Sequence, residues 1–266
     1  MSQILSRLDR LWRMLMTGFC FALFGLGGLL LSLVWFNLLL IFQRDRTARR
    51  RLARRSISAS FRLFLAVVRG TGVLDYRFLR AERGCLVIAN HPSLLDYVIL
   101  ASVMNETDCL VKSALLRNPF VSGVIRAADY LINSEAETLL RASQQRLAQG
   151  DTLLIFPEGT RTRVGEAITL QRGAANIAVR CNSSLRVVVI HCSERMLDKQ
   201  SRWYNVPPKK PIFTVDVRER INIHDFYDAS QHEPALAARQ LNRHMQQQLT
   251  SGLQSLSGMK DASALS

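Results

Sequence analysis

The stretch Cys85–Tyr97, with the sequence CLVIANHPSLLDY, decides how the rest of the chain is interpreted. Its first residues, Cys85–Ala89, form a short apolar run that predicts a buried strand. The next four residues, Asn90 to Ser93, are typical of loops and helix starts, and proline suits an early helical position. We therefore expect His91 at the carboxyl end of a strand, with Asp96 about one turn inside the following helix.

The spacing of His91 and Asp96 suits a general base with its orienting carboxylate. A carboxylate placed there can reach back to the imidazole, fix its tautomer and stabilise the imidazolium that forms when the ring takes a proton. Such a pair is half of an acyl-transfer site. The same two residues also fit a histidine at a helix start with a carboxylate in the first turn. Taken alone, the pair leaves both interpretations open.

A second stretch, Leu153–Thr162 (LLIFPEGTRT), repeats the pattern of an apolar strand that runs into a polar turn. It places the carboxylate of Glu158 and the guanidinium of Arg161 just after a strand. Because ligands of α/β sheets collect at the carboxyl ends of the strands, we expect Glu158 and His91 at the same edge of the sheet.

Together, the two stretches resemble the glycerolipid acyltransferase family, whose best-known members are the lysophosphatidate acyltransferases. The family's NH-x4-D motif is present as Asn90, His91 and Asp96. Its FPEG-x-R-[ST] motif is present as Phe156, Pro157, Glu158, Gly159, Arg161 and Thr162. Between the motifs, residues 111–133 have the family's pattern, with Lys112, Pro119 and Gly123 in place. The resemblance covers roughly residues 72–217.

Two features depart from the family's pattern. The second motif usually ends in an isoleucine-aspartate-arginine run whose arginine helps to hold the acceptor's phosphate, but Leu131-Ile132-Asn133 stands here without a charge. The fourth motif normally has a proline in a valine-rich strand, and residues 186–190 (RVVVI) contain none. These departures bear on the acceptor site and leave the histidine and aspartate intact.

The resemblance implies direct acyl transfer from a thioester to a hydroxyl group. His91 would remove the hydroxyl proton, and Asp96 would hold the imidazole and stabilise its charged form. The residues Glu158, Gly159, Thr160 and Arg161 would bind the acceptor, and Lys112 and Arg126 are candidates for further phosphate contacts. Asn90, Pro157 and Thr162 would support the motif loops. Glu158 also fits a purely structural turn carboxylate, and Lys112 a solvated lysine.

Composition limits the partners. The chain has 266 residues and a formal charge of +14. This charge favours anionic partners, such as nucleic acid, an anionic membrane face or acidic substrates. A nucleic-acid binder would show aromatic residues interleaved with basic ones in a recognisable module, and none is visible, so we expect no nucleic-acid partner.

No metal-ligand constellation is visible either, so we expect no metal and no cofactor, with acyl-CoA or an acylated acyl carrier protein as co-substrate. The five scattered cysteines predict buried thiols in a reducing compartment. Nothing in the sequence indicates an oligomeric state.

Residues 17–42 contain no charged side chain and predict a transmembrane helix. At ~1.5 Å per residue the run would be about 39 Å long, enough to cross a hydrocarbon core of ~30 Å. A signal peptide and a buried soluble helix are the competing interpretations. More arginines follow the run than precede it, which predicts a single pass through the inner membrane with the catalytic domain in the cytoplasm. A hairpin or shallow insertion with both ends inside is the alternative.

The segment after the apolar run is basic and then amphipathic. Seven arginines lie between positions 44 and 55, which predicts attraction to anionic headgroups. Residues 56–68 place apolar side chains at helical spacing, typical of a helix that lies on the bilayer or packs on the catalytic domain.

From residue 72 onward, predicted strands alternate with helices, which indicates an α/β fold with a mixed, largely parallel sheet flanked by helices. The strands are predicted at 72–78, 85–89, 108–111, 153–156, 185–191 and 212–221, and the helices at 94–105, 135–148 and 173–181. We predict five parts: an N-terminal flank (1–16), the transmembrane helix (17–42), the basic and amphipathic segment (43–71), the acyltransferase domain (72–233), and a weakly packed C-terminal helix with a frayed tail (234–266).

The predicted function is that of a membrane-bound O-acyltransferase acting on a lysophospholipid such as 1-acyl-glycerol-3-phosphate. Membrane lipids and the acyl carrier are then its partners. The missing charge in the second motif leaves open a different acceptor, such as an ornithine lipid, a glycolipid or a secondary-metabolite lipid. A non-catalytic membrane-binding scaffold is the alternative of another class.

Overall fold

A computed structural model describes residues 2–77, 85–133, 135–228 and 233–263. The helices are α1 (Ser2–Leu30), α2 (Phe36–Phe42), α3 (Arg46–Gly70), α4 (Asp96–Val103), α5 (Pro119–Ala128), α6 (Ala136–Ala148), α7 (Gly173–Arg180) and α8 (Pro234–Ser263). The strands are β1 (Asp75–Arg77), β2 (Leu86–Ala89), β3 (Asp108–Lys112), β4 (Leu131–Asn133), β5 (Leu153–Ile155), β6 (Leu185–Cys192) and β7 (Ile212–Ile221).

Within these residues the strands form one seven-stranded sheet in the order β1-β7-β6-β2-β5-β3-β4. The pair β6–β7 is antiparallel, and the other neighbouring pairs are parallel. The predicted mixed, largely parallel α/β sheet is therefore confirmed. The six predicted strands are present with ends shifted by at most three residues, and Phe78, the predicted end of the first strand, lies outside the described residues. The sequence analysis missed the helix α5 and the strand β4. The strand has only three residues, which is too short to show a period.

The central strands are buried on both faces, which explains why they are apolar throughout. On β2, Val87 and Ala89 belong to a cluster with residues of α3 and α4, whereas Leu86 and Ile88 belong to the cluster of α7 and α8. The alternation follows from the two-residue period of a strand. Helices therefore cover both faces of the sheet and leave its edges to the loops.

The prediction that the C-terminal segment packs weakly is wrong. Its helix α8 buries Ala237, Leu241, Met245 and Leu249, each at most 1% exposed, in the core against α7 and β6. Gly252 permits the close approach, since a Cβ atom there would lie 2.6 Å from Val189 Cγ2. The i, i+4 spacing of these apolar residues was the signal, and the many glutamines on the other faces of the helix concealed it.

The N-terminal apolar run is part of one long helix. A π-helical turn at Leu31–Trp35 joins α1 to α2 without a break. The stretch Ile4–Phe42 is long and apolar enough to cross a membrane, and only 11% of its most apolar 18-residue window is buried. Near its start, Arg13 donates to the carbonyl oxygens of Pro207 and Pro208 at 2.9 and 2.8 Å. Phe36 and Leu39, near its end, are buried against α3 and α5. The helix therefore contacts the α/β domain towards both of its ends.

The helices α1 and α5 cross at small residues. A Cβ atom on Gly28 would lie 2.5 Å from the carbonyl oxygen of Phe120, and one on Gly123 would lie 2.5 Å from Ser32. Such contacts bring the two backbones close together, as small residues do at helix crossings in membrane proteins.

The amphipathic segment packs on the domain. Ile57, Phe64, Leu65 and Val68 of α3 are buried in the core clusters, which confirms the packing alternative for residues 56–68. On the same helix, Leu63 remains 69% exposed.

Two of the seven arginines that follow the apolar run do not face lipid, which corrects the headgroup interpretation for them. Arg54 is 1% exposed and forms ion pairs with Asp108 at 2.7 Å and Asp151 at 3.1 Å. Arg50, also buried, pairs with the same Asp151 at 2.9 Å. Asp108 begins β3, and Asp151 lies just before β5, so these pairs tie α3 to the amino-terminal edge of the sheet. The sequence shows the charges but not their partners, which lie about 50 to 100 residues away.

Replacing Gly28 by alanine tests the helix crossing. The added methyl group would meet a backbone oxygen, and overpacking of this kind costs about 1–3 kcal/mol. In the matched control, Gly27→Ala, the methyl group meets nothing within 4 Å, and the change gains up to about 1 kcal/mol of helix propensity. Thermal unfolding in detergent should show a lower Tm for Gly28→Ala and an equal or higher Tm for Gly27→Ala. Equal shifts in the two variants would contradict the crossing.

Replacing Arg54 by methionine tests the buried ion pairs. Removal of one partner leaves buried carboxylates with less compensation, which costs about 3–5 kcal/mol. The control is Arg46→Met, whose side chain is 81% exposed and 3.6 Å from Asp129, where a change of at most about 1 kcal/mol is expected. Urea denaturation compares the two. A small effect of Arg54→Met on stability, together with reduced binding to anionic vesicles, would restore the headgroup interpretation for this residue.

Candidate active site

The histidine and aspartate predicted as a pair are in contact. His91 lies two residues after β2, and Asp96 is the first residue of α4. The Nδ1 atom of His91 is 2.8 Å from Oδ2 of Asp96, and the backbone N–H of Ser93 donates to the same oxygen at 2.7 Å. With the Nδ1 proton directed at the carboxylate, Nε2 is the nitrogen left to take a proton from a substrate.

The two side chains differ in exposure. Asp96 is fully buried, whereas the His91 side chain is 21% exposed. Burial raises the pKa of Asp96, and the hydrogen bonds from His91 and Ser93 and the charge of Arg161 oppose that rise only in part. The ionised form of a buried carboxylate is stabilised by hydrogen bonds and by nearby positive charge, and Asp96 has both.

The backbone around His91 is held from two sides. The side chain of Asn90 accepts from the N–H of Ile190 and donates to its carbonyl oxygen, both at 2.7 Å, which ties the end of β2 to β6. The N–H of His91 donates to Oε1 of Glu158 at 2.6 Å, and its carbonyl oxygen accepts from the N–H of Thr162 at 3.0 Å. The two predicted motifs are therefore bonded directly to each other.

The imidazole ring also stacks on Phe156. The two ring centroids are 4.3 Å apart with an interplanar angle of 24°. The stacking and the bond to Asp96 together fix the plane and the rotation of the imidazole. The sequence analysis included Phe156 in the motif but assigned it no contact.

The carboxylate of Glu158 lies beneath the histidine loop. The residue is 5% exposed, and burial raises the pKa of its carboxyl group, against hydrogen bonds from Thr162 and from the N–H of His91 that lower it. This placement agrees with the structural alternative for Glu158. Direct contact with an acceptor stays a prediction.

The turn after β5 exposes part of the predicted acceptor set. Gly159 has a φ of +67°, which favours glycine, and its N–H donates to the carbonyl oxygen of Phe156 at 3.1 Å. Pro157 is buried and accepts from the N–H of Gln171 at 2.7 Å, whereas Gly159 and Thr160 are exposed. The turn therefore presents backbone at residues 159–160 beside the histidine.

Arg161 is half-buried, and its charge acts on Asp96. Its Nη1 atom donates to the carbonyl oxygens of Leu197 and Asp198 at 2.7 and 3.0 Å. Within the described residues Arg161 donates no further hydrogen bond, so Nε and Nη2 remain available for an anionic group. The sequence analysis missed Leu197 and Asp198. Their position after β6, which runs parallel to β2 and ends at the same edge, was the available signal.

The two further phosphate candidates lie in different places. Lys112 ends β3 at the same edge of the sheet as His91 and is exposed, and it is paired in register with the uncharged Asn133 of β4. Arg126 is exposed in the last turn of α5, which leads to the amino end of β4 and so away from that edge. The structure therefore brings Lys112 to the edge of the site but not Arg126.

Comparison with known proteins indicates a family. Residues 73–193 match the family model described as Acyltransferase. A 1-acyl-sn-glycerol-3-phosphate acyltransferase of Helicobacter pylori is 29% identical over 148 residues, which are 53% of this chain and 60% of that protein. The human 1-acyl-sn-glycerol-3-phosphate acyltransferase beta is 29% identical over 149 residues, 53% of this chain and 50% of that protein. The chain thus spans between half and three fifths of these relatives.

A solved structure shares the fold over nearly the whole chain. It is the 1-acyl-sn-glycerophosphate acyltransferase PlsC of Thermotoga maritima, with a TM-score of 0.67 and 20% identity. The alignment covers 95% of this chain and 98% of that one. The similarity therefore includes the long N-terminal helix and α8 as well as the sheet.

Residues 73–193 match the acyltransferase family model, and the fold and the two sequence motifs agree with that match. Since the relatives that match it are named as 1-acyl-sn-glycerol-3-phosphate acyltransferases, the resemblance to the glycerolipid acyltransferases is confirmed.

Proposed function

We propose that this protein is a membrane-associated O-acyltransferase that moves a fatty acyl group from a thioester to the hydroxyl of a lysophospholipid such as 1-acyl-glycerol-3-phosphate. The observation that carries the proposal is the bonded pair of His91 and Asp96 at the strand edge, with Arg161 beside it. The names of the relatives support the acceptor class.

The acyl group passes directly from the thioester to the acceptor, and no side chain is acylated. Nε2 of His91 takes the proton of the acceptor hydroxyl while the oxygen attacks the thioester carbonyl carbon. Asp96 stabilises the imidazolium through the Nδ1 hydrogen bond. The tetrahedral intermediate then collapses, the carbon–sulfur bond breaks, and the leaving thiolate takes the proton back from the imidazolium. The products are an ester and a free thiol, and His91 returns to its neutral form.

The acceptor's phosphate is bound by Arg161. Guanidinium groups bind phosphate through paired N–H donors, and here Nε and Nη2 remain for that purpose. The exposed backbone of Thr160 lies next to Arg161 in the chain and can add an N–H donor, whereas the N–H of Gly159 is bonded to Phe156. Lys112, farther along the same edge, is the candidate for a second charge.

The second motif favours one alternative acceptor class. Asn133 stands at the edge of the site where the family has a charged run, so the site carries less positive charge there. A headgroup with less negative charge than phosphate, as in a glycolipid or an ornithine lipid, would then be accepted by the same chemistry.

The membrane lies against the apolar face of α1 and α2. Exposed side chains include Leu26 of α1 at 64%, Leu33 of the π-helical turn at 68% and Phe42 of α2 at 80%. A full span with the N-terminus on the far side would separate Arg13 from the loop of Pro207 and Pro208 that it contacts. We therefore favour shallow insertion, the alternative to a single pass, with the catalytic domain on the cytoplasmic face, where the acyl thioesters and a reducing environment are found.

The first experiment measures acyl transfer by the purified protein in detergent. Labelled acyl-CoA and acyl carrier protein donors are offered with a panel of lysolipids that includes lysophosphatidate and less acidic acceptors. His91→Ala should lower kcat by about 10²- to 10⁴-fold, the usual contribution of a general base. His224→Ala, at an exposed position in a short 3-10 helix after β7, is the matched control and should retain wild-type turnover.

Each outcome of this assay has a definite meaning. Label in phosphatidate supports the proposal, and label with another acceptor alone supports the alternative acceptor class. Near-normal turnover by folded His91→Ala would remove the proposed base. Absence of transfer across the panel would favour a non-catalytic scaffold.

Replacing Arg161 by alanine tests the phosphate contact. Loss of a charged hydrogen bond of about 1.5–3 kcal/mol should raise the acceptor KM roughly 10- to 100-fold and leave the donor KM unchanged. Arg126→Ala removes an equal charge at the end of α5 and should leave both values near wild type. If Arg126→Ala raises the acceptor KM and Arg161→Ala does not, the assignment of the phosphate site is wrong.

A further inference from the structure

The partners of Arg161 are backbone carbonyls, although the chain offers carboxylates nearby. The oxygens of Leu197 and Asp198 accept from Nη1, and the carbonyl oxygen of Leu197 also accepts from the N–H of Leu94 at 3.1 Å. Leu94 belongs to the loop between His91 and Asp96. One turn of chain outside both motifs therefore touches both of them.

This turn has an unusual backbone and is closed by a side chain. Leu197 has a φ of +54°, a conformation that residues with a branched side chain seldom adopt. Asp198, only 3% exposed, closes the turn through Oδ1, which accepts from the N–H groups of Gln200 and Ser201 at 2.8 and 2.7 Å. Its other oxygen, Oδ2, is 3.3 Å from Nη2 of Arg195.

The charge state of Asp198 is also fixed by these contacts. Burial alone would raise the pKa of its carboxyl group, but the hydrogen bonds from Ser201, Gln200 and Arg195 outweigh burial and lower the pKa to about 2. The side chain is therefore ionised over the pH range of an activity assay. Its hydrogen bonds from the two backbone N–H groups are charge-assisted, which makes them stronger than bonds to a neutral acceptor.

Carbonyl partners have a chemical advantage for an arginine that binds an anion. A carboxylate paired with Arg161 would cancel the charge that the acceptor's phosphate needs. A carbonyl oxygen fixes the direction of the guanidinium through its dipole and leaves the net charge in place. The fork geometry of the remaining N–H donors is useful only if that direction is held.

We propose that Asp198 is a positioning residue for Arg161: by closing the turn it holds the carbonyls of Leu197 and Asp198 that aim the guanidinium at the acceptor's anionic headgroup. This inference rests on the proposed function, since it takes the headgroup as the ligand of Arg161. Asp198 itself touches no substrate and acts through the backbone.

The test separates the geometry of the turn from the charge of the side chain. Asp198→Asn keeps an oxygen that can accept from the N–H groups of residues 200 and 201, but it loses the charge. Asp198→Glu keeps the charge on a longer side chain that cannot close the same turn, and Asp198→Ala removes both. The readout is equilibrium binding of a short-chain, water-soluble lysophosphatidate without any acyl donor, followed by acceptor and donor KM values for the same proteins.

We expect binding by Asp198→Asn within about threefold of wild type and binding by Asp198→Ala and Asp198→Glu weaker by about tenfold, with the donor KM unchanged. The double variant Asp198→Ala/Arg161→Ala should bind no more weakly than Arg161→Ala, because the aspartate acts only through the arginine. Circular dichroism selects the variants that fold, and the asparagine and glutamate forms decide the question if the alanine form does not.

Three results would overturn the inference: wild-type affinity in a folded Asp198→Glu or Asp198→Ala protein, losses that multiply in the double variant, or an asparagine form as weak as the alanine form. Failure of the proposed function is distinct. In that case the wild-type protein binds lysophosphatidate but transfers no acyl group to it, while the order of affinities among the variants still tests Asp198. A wild-type protein that does not bind lysophosphatidate at all removes both the acceptor assignment and this inference.

Discussion

The hydrogen bond between Nδ1 of His91 and the buried carboxylate of Asp96 is the contact on which the rest of the site depends. It requires the end of β2 and the start of α4 to meet at a fixed distance, and neither element can ensure that alone. Asn90 fixes the strand end to β6, and Glu158 and Thr162 bind the backbone of His91 on both sides. The stretch Leu153–Thr162 therefore supports the backbone of His91 directly, and any contact with a substrate is an additional role.

The arginines at the two ends of the parallel strands have different partners: carboxylates at the amino-terminal edge and carbonyl oxygens at the carboxyl-terminal edge. At the amino-terminal edge, Arg50 and Arg54 are buried against Asp108 and Asp151, so their charges are compensated inside the protein. At the carboxyl-terminal edge, Arg161 is held by neutral carbonyl oxygens, and its charge remains available. Ion pairs at the first edge attach α3 to the sheet. Within the described residues Arg161 forms no ion pair, which suits an anionic acceptor.

The segment between β6 and β7 connects the site with the long N-terminal helix. Its turn at Leu197 and Asp198 holds Arg161, and farther along its carbonyls accept from Arg10 and Arg13 of α1. Trp203 of the same segment lies against α1, 3.1 Å from the position of a Cβ atom on Gly18. In the proposed membrane arrangement, α1 contacts the bilayer. The same helix is hydrogen-bonded to the β6–β7 segment, which orients Arg161.

Local pattern was sufficient for six of the strands, for the apolar and amphipathic N-terminal helices, for α4, α6, α7 and α8, and for the placement of the two motifs at one edge of the sheet. Strand ends, turn residues and a histidine–aspartate spacing are properties of short stretches. Local pattern failed where a side chain's partner is distant in the chain. The arginines after the apolar run looked like a membrane-facing cluster, and the glutamine-rich face of α8 concealed a buried stripe around Leu241 and Met245. The contacts of Arg161 with residues 197 and 198 were equally out of reach.

The sequence by itself thus determined the α/β fold, the pairing of His91 with Asp96, and the presence of a long apolar helix. Only the tertiary structure decided which arginines are compensated and which remain free. The reason is physical: the spacing of neighbouring residues determines local geometry, whereas the burial of a charge depends on what the folded chain places against it.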